Sequence, residues 1–211
     1  MEKSSVTALV MATMIEAKPF ILGMALEKCK GRPFPLFKKD NTFLVISGIG
    51  KANAAMATAY CCQIFDTICI CNLGAAGAAD ANHTLGEIFH INKVLENDRP
   101  ELISGRTRIH TPHVFDDFPA ATLSTSDRPI LDPEERKEIS KNADLIDMEG
   151  ASVVQACKIF ERKCYIFKFV SDTPEHTNGK DILKSIKLYR TPFYDFFLKS
   201  VMPAISRLRI P

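Results

Sequence analysis

Three carboxylates, Glu16, Glu149 and Asp172, stand just beyond short apolar runs of this chain, and so do two loops of small residues. The strings in question are Ala12-Thr-Met-Ile-Glu16, Ser47-Gly-Ile-Gly-Lys51 and Asn72-Leu-Gly-Ala-Ala-Gly77, followed by Ser124-Thr-Ser-Asp-Arg-Pro-Ile130, Asp147-Met-Glu-Gly150 and Ser171-Asp-Thr-Pro174. Carboxylates gathered this way can accept hydroxyl hydrogen bonds, take a proton from water or deliver one to a leaving group. Taken singly, each has a plain structural explanation. Glu16 and Glu149 suit the first turn of a helix, with Asp147 as a cap, and Asp172 suits a turn ahead of Pro174. Their common placement at strand ends is what points to a site.

The elements that must position them alternate in type. Val6 to Met11, Phe43 to Ile46, Thr67 to Leu73, Glu87 to Val94, Ala120 to Ser124, Leu145-Ile146 and Cys164 to Val170 read as strands. Helical periodicity covers Glu16 to Lys28, Lys51 to Phe65, Pro133 to Ser140, Glu149 to Phe160 and Pro192 to Leu208. The second helix carries Ala55, Thr58, Ala59 and Cys62 on one face, and Asn97 to Phe118 reads as loop. Such alternation predicts an α/β fold: one three-layer domain over residues 1–211, with a mixed, mainly parallel central sheet flanked by helices. In open sheets of that kind, ligands gather beyond the carboxyl ends of the strands, where the strings above end.

Composition narrows the class. The chain has 211 residues, 46% hydrophobic and 25% charged, with 27 basic against 25 acidic residues and a net charge of +2. That balance gives no electrostatic reason to expect nucleic acid or a membrane surface as partner. Seven cysteines occur without a CxxC pair, which suits reduced, buried thiols in a cytoplasmic protein. The polar start Met1 to Ser5 has no signal-peptide pattern, and no apolar run approaches membrane-spanning length.

Other chemistries fit less well. Gly48, Gly50 and Ala54 imitate a dinucleotide fingerprint, but a whole strand and helix precede them and the next strand ends in Asn72 rather than an acid. Lys51 lacks the spacing and the following hydroxyl residue of a phosphate-binding P-loop. His110 and His113 stand near Asp116 and Asp117 without a persuasive further ligand, so no metal is expected. A serine-hydrolase elbow is absent from the sequence.

The strings Ser47-Gly-Ile-Gly-Lys-Ala-Asn-Ala-Ala55, Asn72-Leu-Gly-Ala-Ala-Gly-Ala78, Asp147-Met-Glu-Gly-Ala151 and Phe169-Val-Ser-Asp172 together resemble the purine nucleoside phosphorylase/nucleosidase superfamily. They are most similar to its 5′-methylthioadenosine/S-adenosylhomocysteine nucleosidase branch, in order from about residue 6 to 175. The resemblance implies hydrolysis of the N-glycosidic bond of a purine-type nucleoside, without cofactor, in a homodimer or larger homo-oligomer. It implies Glu16 as the base that activates water and Asp172 as the acid that protonates N7 of the departing base. Glu149 and Met148 fall at the ribose, and Ile130 and Ser171 join Asp172 around the base. Ser47, Gly48 and Ile49, with Ala75, Ala76 and Gly77, form the substrate loops.

The pattern also departs from its relatives. Asn72 holds the place just ahead of the third-strand Gly loop where the phosphorylases carry a phosphate-binding Arg, which favours water as nucleophile over phosphorolysis, the alternative reaction. A nucleoside-binding protein without turnover is the second alternative, and the three retained carboxylates weigh against it. Pro129 replaces a base-stacking Phe, Ala75 a Ser, and Lys168 an Arg. The 5′ substituent and the base are therefore open, and futalosine-type nucleosides are included. Val114, Phe115 and Phe118 are expected to serve a subunit interface. Asp172 is expected to owe its acidity near neutral pH to burial. Glu149 is expected to be held ionised by a helix dipole.

Overall fold

Ala8 and Val10 face one side of the first strand and Leu9 and Met11 the other, and all four are completely buried. A strand apolar on both faces must be covered on both. The computed structural model, which describes residues 6–176 and 178–208, shows what covers it. In chain order the elements are β1 (Val6–Met11), α1 (Met14–Gly23), β2 (Glu27–Cys29), β3 (Leu36–Lys39), β4 (Thr42–Ile46), α2 (Lys51–Ile64), β5 (Thr67–Ala78) and β6 (Ile88–Glu96). There follow β7 (Arg108–His110), β8 (Ala120–Thr125), α3 (Pro133–Ser140), β9 (Leu145–Asp147), α4 (Gly150–Ile159) and β10 (Lys163–Asp172). The chain ends with α5 (Gly179–Phe196), which runs through a π-helical turn at Phe197–Val201 into α6 (Met202–Arg207).

The strands form one mixed sheet. β4, β1, β5 and β10 lie side by side and parallel, as do β6, β8 and β9. Antiparallel pairs join β10 to β6 and β5 to β9, and extend the far edge through β4, β3 and β2. On one face, Ala8, Val10, Ile70, Cys164 and Ile166 pack with Ala54, Ala57, Cys61, Val153 and Cys157 of α2 and α4. On the other, Leu9, Cys71, Tyr165, Phe167 and Phe169 pack with Phe20, Phe193 and Phe197 of α1 and the closing helix. Small residues bring α2 and α4 close to the sheet, whereas aromatic rings fill the opposite layer. Phe20 is in ring contact with Phe193, Tyr194 and Phe197 at centroid distances of 5.2–5.9 Å. Truncating such a ring costs about 3–5 kcal/mol.

Several sequence expectations need correction. The helix expected to reach Lys28 stops at Gly23, and the β2–β3 hairpin follows. The face of α2 turned to the core carries Ala54, Ala57, Thr58, Cys61 and Cys62, so Ala55 and Ala59 are only half-buried. Gly74 to Gly77 is no loop: β5 continues through it, hydrogen-bonded to β10. The expected loop from Asn97 contains β7, paired with β6. The last long helix begins at Gly179 rather than Pro192, which lies inside it. Phe115 and Phe118 serve this chain's own core. Phe115 stacks on Tyr165 with centroids 4.2 Å apart, Phe118 meets Phe167 at 5.1 Å, and only Val114 is open to solvent. Their segment is pinned by buried His90, whose Nδ1 lies 2.9 Å from the Ile166 carbonyl while its Nε2 accepts the Phe115 N–H at 3.0 Å. Burial lowers the His90 pKa despite that carbonyl, which suits a neutral ring. Among the described residues, no helix is long and apolar enough to cross a membrane.

Candidate active site

The carboxyl ends of β1, β5, β9 and β10 open on one cleft of about 220 Å3. It is lined by Glu16, Glu149, Asp172, Met148, Ser171, Ile130, Ile49, Ala75, Ala76 and Gly77 among others. The structure therefore brings together nearly every residue singled out from the sequence. Ser47 and Gly48 are not in the lining. The Ser47 hydroxyl turns back to the Gly48 carbonyl at 2.8 Å, and Gly48 donates its N–H to the Ala12 carbonyl.

Glu16 enters from the first turn of α1. Thr13 caps that helix, its hydroxyl oxygen accepting the Glu16 N–H at 3.3 Å and donating back to the Glu16 carboxylate at 2.5 Å. In a capping box the acidic side chain would reach back to the N-cap backbone N–H. Here the other carboxylate oxygen instead accepts the Ala75 N–H of β5 at 2.8 Å, so the group is held across the cleft floor. A Cβ at position 74 would stand 2.8 Å from that oxygen, which is why Gly74 is there.

Glu149 is the N-cap residue of α4 rather than a residue of its first turn, and its side chain makes no cap hydrogen bond. Asp147 caps the helix instead, accepting the Gly150 N–H at 2.8 Å. Glu149 is thereby free to face the cleft, where its carboxylate accepts the Gly50 N–H at 2.9 Å from the β4–α2 loop. Gly50 can offer that N–H because it adopts φ 99°, a left-handed conformation that a side chain would strain. Burial, and then the Asp147 carboxylate, push the Glu149 pKa up to about 7, against the opposing pull of Lys168 and the Gly50 N–H. Desolvation thus works against the ionised form that the helix terminus was expected to hold.

Lys168 explains part of this balance. It is fully buried in β10 with its ammonium 2.9 Å from Asp147, which also accepts the Thr125 hydroxyl at 2.6 Å. Burial works against its charge, but Asp147, Glu149 and Glu16 outweigh it and leave its pKa raised. One cation thus holds the carboxylate cluster together while being in direct contact with Asp147.

At the other end of the cleft, Asp172 closes β10. Its two oxygens are both occupied: one accepts the Ser171 hydroxyl at 2.6 Å, and the other is in ion-pair contact with the Arg136 guanidinium. Burial does not act alone on Asp172, contrary to the expectation, because a buried cation faces it. Gly77 leaves room for this pair, since a Cβ there would stand 2.6 Å from the Asp172 oxygen and 3.0 Å from Arg136. Glu16 and Asp172 accordingly bracket the Gly74–Gly77 stretch of β5, roughly 10 Å of strand.

Among the lining residues, Arg136, Ile182, Ile186 and Thr13 were given no role from the sequence. Arg136 sits among the charges of α3, and its only signal was a three-residue spacing from buried Ile139. Ile182 and Ile186 form an i, i+4 pair on α5 and wall the cleft. They were hidden because Pro192, so favourable in a first turn, drew the expected helix start toward itself. Thr13 carried the Thr-x-x-Glu spacing of a cap. Of the set-aside motifs, Lys51, His110 and His113 are not in the cleft lining. Lys51 binds Asp98 at 2.6 Å and Glu96 at 3.1 Å. His110 lies near Glu96, whereas His113 accepts the Cys164 N–H. Among the described residues no cluster of three or more His, Cys, Asp or Glu is arranged to hold a metal ion.

No protein-family model matches the chain. Its curated relatives include the 5′-methylthioadenosine/S-adenosylhomocysteine nucleosidase of Buchnera aphidicola subsp. Schizaphis graminum, 26% identical over 176 residues, covering 72% of this chain and 75% of the relative. The aminodeoxyfutalosine nucleosidase of Campylobacter jejuni is 24% identical over 162 residues, 66% of this chain and 71% of its own. Among solved structures, Arabidopsis thaliana 5′-methylthioadenosine nucleosidase superposes with a TM-score of 0.83 at 20% identity, covering 98% of this chain and 97% of the other. A futalosine hydrolase mutant of Helicobacter pylori gives 0.80 at 16% identity, covering 94% and 99%. The chain has the fold of the purine nucleoside phosphorylase/nucleosidase superfamily, as its sequence motifs imply.

Proposed function

We propose that the chain hydrolyses the N-glycosidic bond of a purine-type nucleoside, releasing free base and sugar. The observation that carries this reading is the convergence of Glu16, Glu149 and Asp172 on one cleft. Its sequence relatives, named as nucleosidases, support it. Breaking the bond to N9 leaves an oxocarbenium-like ribose and an electron-rich base. The sugar needs a water delivered to C1′, and the base needs a proton.

Glu16 takes the proton from that water. Its carboxylate is oriented by Thr13 and the Ala75 N–H, so it needs no rearrangement to do so. Glu149 grips the ribose hydroxyls with Met148 packed beside the sugar, and Asp172, once it has taken up a proton from solvent, hands that proton to the base, flanked by Ser171 and Ile130. Ile49 lies at the mouth, 55% exposed, and receives the 5′ substituent. The roles of Ala75, Ala76 and Gly77 are to form the floor beneath the ligand. A subunit partner of the same chain and a cytoplasmic location belong to the same reading.

Water is favoured over phosphate because each guanidinium in the lining already faces a carboxylate of the chain. Arg128 is paired with Glu135 at 2.5 Å, and Arg136 with Asp172. Asn72 is buried in the sheet, donating to the Val10 carbonyl at 3.2 Å. The test is incubation with 5′-modified purine nucleosides, with and without phosphate, followed by chromatography of the free base. Base release without phosphate is the expected result. Release only with phosphate replaces hydrolysis by phosphorolysis, and binding without release removes the enzymatic reading.

A further inference from the structure

Helix α2 starts at a residue that cannot cap it. Gly50 holds the N-cap position without a side chain, and its own N–H goes to Glu149. The following N–H, that of Lys51, is one of those a helix start leaves without an intrahelical acceptor. Asp127, just beyond β8, takes it with Oδ1 at 3.0 Å. The Asp127 N–H in turn donates to one Asp98 oxygen at 2.6 Å, and the other Asp98 oxygen accepts from the Lys51 ammonium at 2.6 Å. Residues that follow β4, β6 and β8 thus close a ring of hydrogen bonds. The ring is moored inward, because the same ammonium reaches Glu96, whose side chain is 2% exposed, at 3.1 Å. Burial opposes the charge of Lys51, but Asp98 and Glu96 leave its pKa raised. Burial opposes that of Asp98 as well, and Lys51 and the Asp127 N–H leave its pKa lowered, so the ring stays charged at neutral pH.

The loops joined by this ring both supply walls of the cleft. Ile49 precedes Gly50 on one, Arg128, Pro129 and Ile130 follow Asp127 on the other, and all four line the cleft, whereas Lys51, Asp98 and Asp127 do not. We propose that Asp127 is a positioning residue: by capping α2 from the neighbouring loop, it fixes the Gly50 N–H on the Glu149 carboxylate and sets the spacing of the two walls. A glycine at φ 99° has no side chain to anchor it, so the direction of its N–H depends on what grips the residue after it. The charged groups bearing on Glu149 are Asp147 of β9, Lys168 of β10 and Glu16 of α1. Each is held by partners outside the ring: Asp147 by Thr125 and Gly150, Lys168 by Asp147, and Glu16 by Thr13 and Ala75. Opening the ring therefore acts on Glu149 through the Gly50 N–H. A hydrogen bond to the ionised form favours that form, so its loss makes the carboxylate harder to ionise. The proposal rests on the nucleosidase reading only for what Glu149 grips.

The test compares Asp127→Ala, which removes the acceptor, with Asp127→Asn, which keeps an oxygen for the Lys51 N–H and loses only the charge. The Asp127 side chain is 61% exposed, so neither change should disturb folding. The Glu149 carboxyl is titrated by NMR in carbon-13-labelled protein without nucleoside, its signal assigned by its loss in Glu149→Gln. Asp127→Ala is expected to move the midpoint upward by about one pH unit, and Asp127→Asn to return it to the wild-type position. Asp98→Ala opens the ring at its other junction and is expected to move the midpoint the same way. In steady-state kinetics with a 5′-methylthio purine nucleoside, Asp127→Ala should raise KM by about 10-fold and change kcat by less than about 3-fold, because Glu16 and Asp172 keep their own anchors. An unmoved midpoint in Asp127→Ala overturns the proposal, and so does a downward shift, the sign that loss of a nearby negative charge alone would give. Asp127→Asn behaving like Asp127→Ala overturns it too, since charge rather than the cap then matters. Absence of cleavage by the wild type defeats the nucleosidase reading instead, and the titration still decides the role of Asp127.

Discussion

The two ends of the cleft hold a buried carboxylate under opposite conditions. Asp172 meets a guanidinium directly and accepts a hydroxyl on its other oxygen. Glu149 has one backbone N–H, a neighbouring acid, and a cation, Lys168, that is in contact with Asp147. The first meets a cation and a hydroxyl, whereas the second has a single backbone N–H. A sugar offers hydroxyl donors, so the unsatisfied end is the one built to gain hydrogen bonds on binding.

Breaking the compensated end should have the largest effects. Asp172→Asn is expected to lower turnover by about 10²–10⁴-fold while retaining some nucleoside binding. Near-wild-type turnover in a steady-state assay would remove its role as acid. Arg136→Met leaves a buried carboxylate unpaired and strips two carbonyls of their donor. A destabilisation of about 3–5 kcal/mol is expected in denaturant unfolding. A loss below about 1 kcal/mol would mean that the pair is effectively solvated.

The uncompensated end is sharpened by pH. Because the folded pKa of Glu149 is raised above its ordinary value of 4.5 to about 7, the native state holds that proton more tightly than the unfolded chain. The associated stability is fully present below pH 4.5 and is lost as the pH climbs to about 7. The loss amounts to roughly 3 kcal/mol at most. Glu149→Gln should therefore raise the unfolding midpoint relative to wild type at pH 8 but not at pH 4, and a constant difference would reject the assignment. Nucleoside affinity of the wild type should rise over the same interval, as the carboxylate able to accept ribose hydroxyls forms.

The smallest effect is expected at the cleft's other guanidinium. Arg128 pairs with Glu135 at the surface, where water screens the pair. Arg128→Ala should leave the unfolding midpoint unchanged within error. A shift as large as that of Arg136→Met would erase the contrast between a buried and an exposed pair.

Much of this was legible in local pattern. Alternation of Ala8, Leu9, Val10 and Met11 marks a strand covered on both sides, and the repeated change of period marks an α/β chain. Glu16, Glu149 and Asp172 were visible because strand ends are where such sheets collect ligands. The β2–β3 hairpin was not, since its strands are three and four residues long and the exposed Glu27-Lys28 carries no apolar alternation. The start of α5 was obscured by Pro192, whose preference for a first turn is a tendency that packing against α1 overrides.

The layered fold, the rim and the identity of three acids follow from the chain's local pattern, because hydrophobic period and residue type are local properties. What each acid is worth depends on contacts made in the packed fold. Asp172 is paired because Arg136, 36 residues earlier, crosses beneath Gly77 to reach it. Glu149 is left uncompensated because Lys168 reaches Asp147 first. Charge and hydrogen bonding in a buried cleft depend on distances of a few ångströms between remote segments, and no spacing along the chain encodes them.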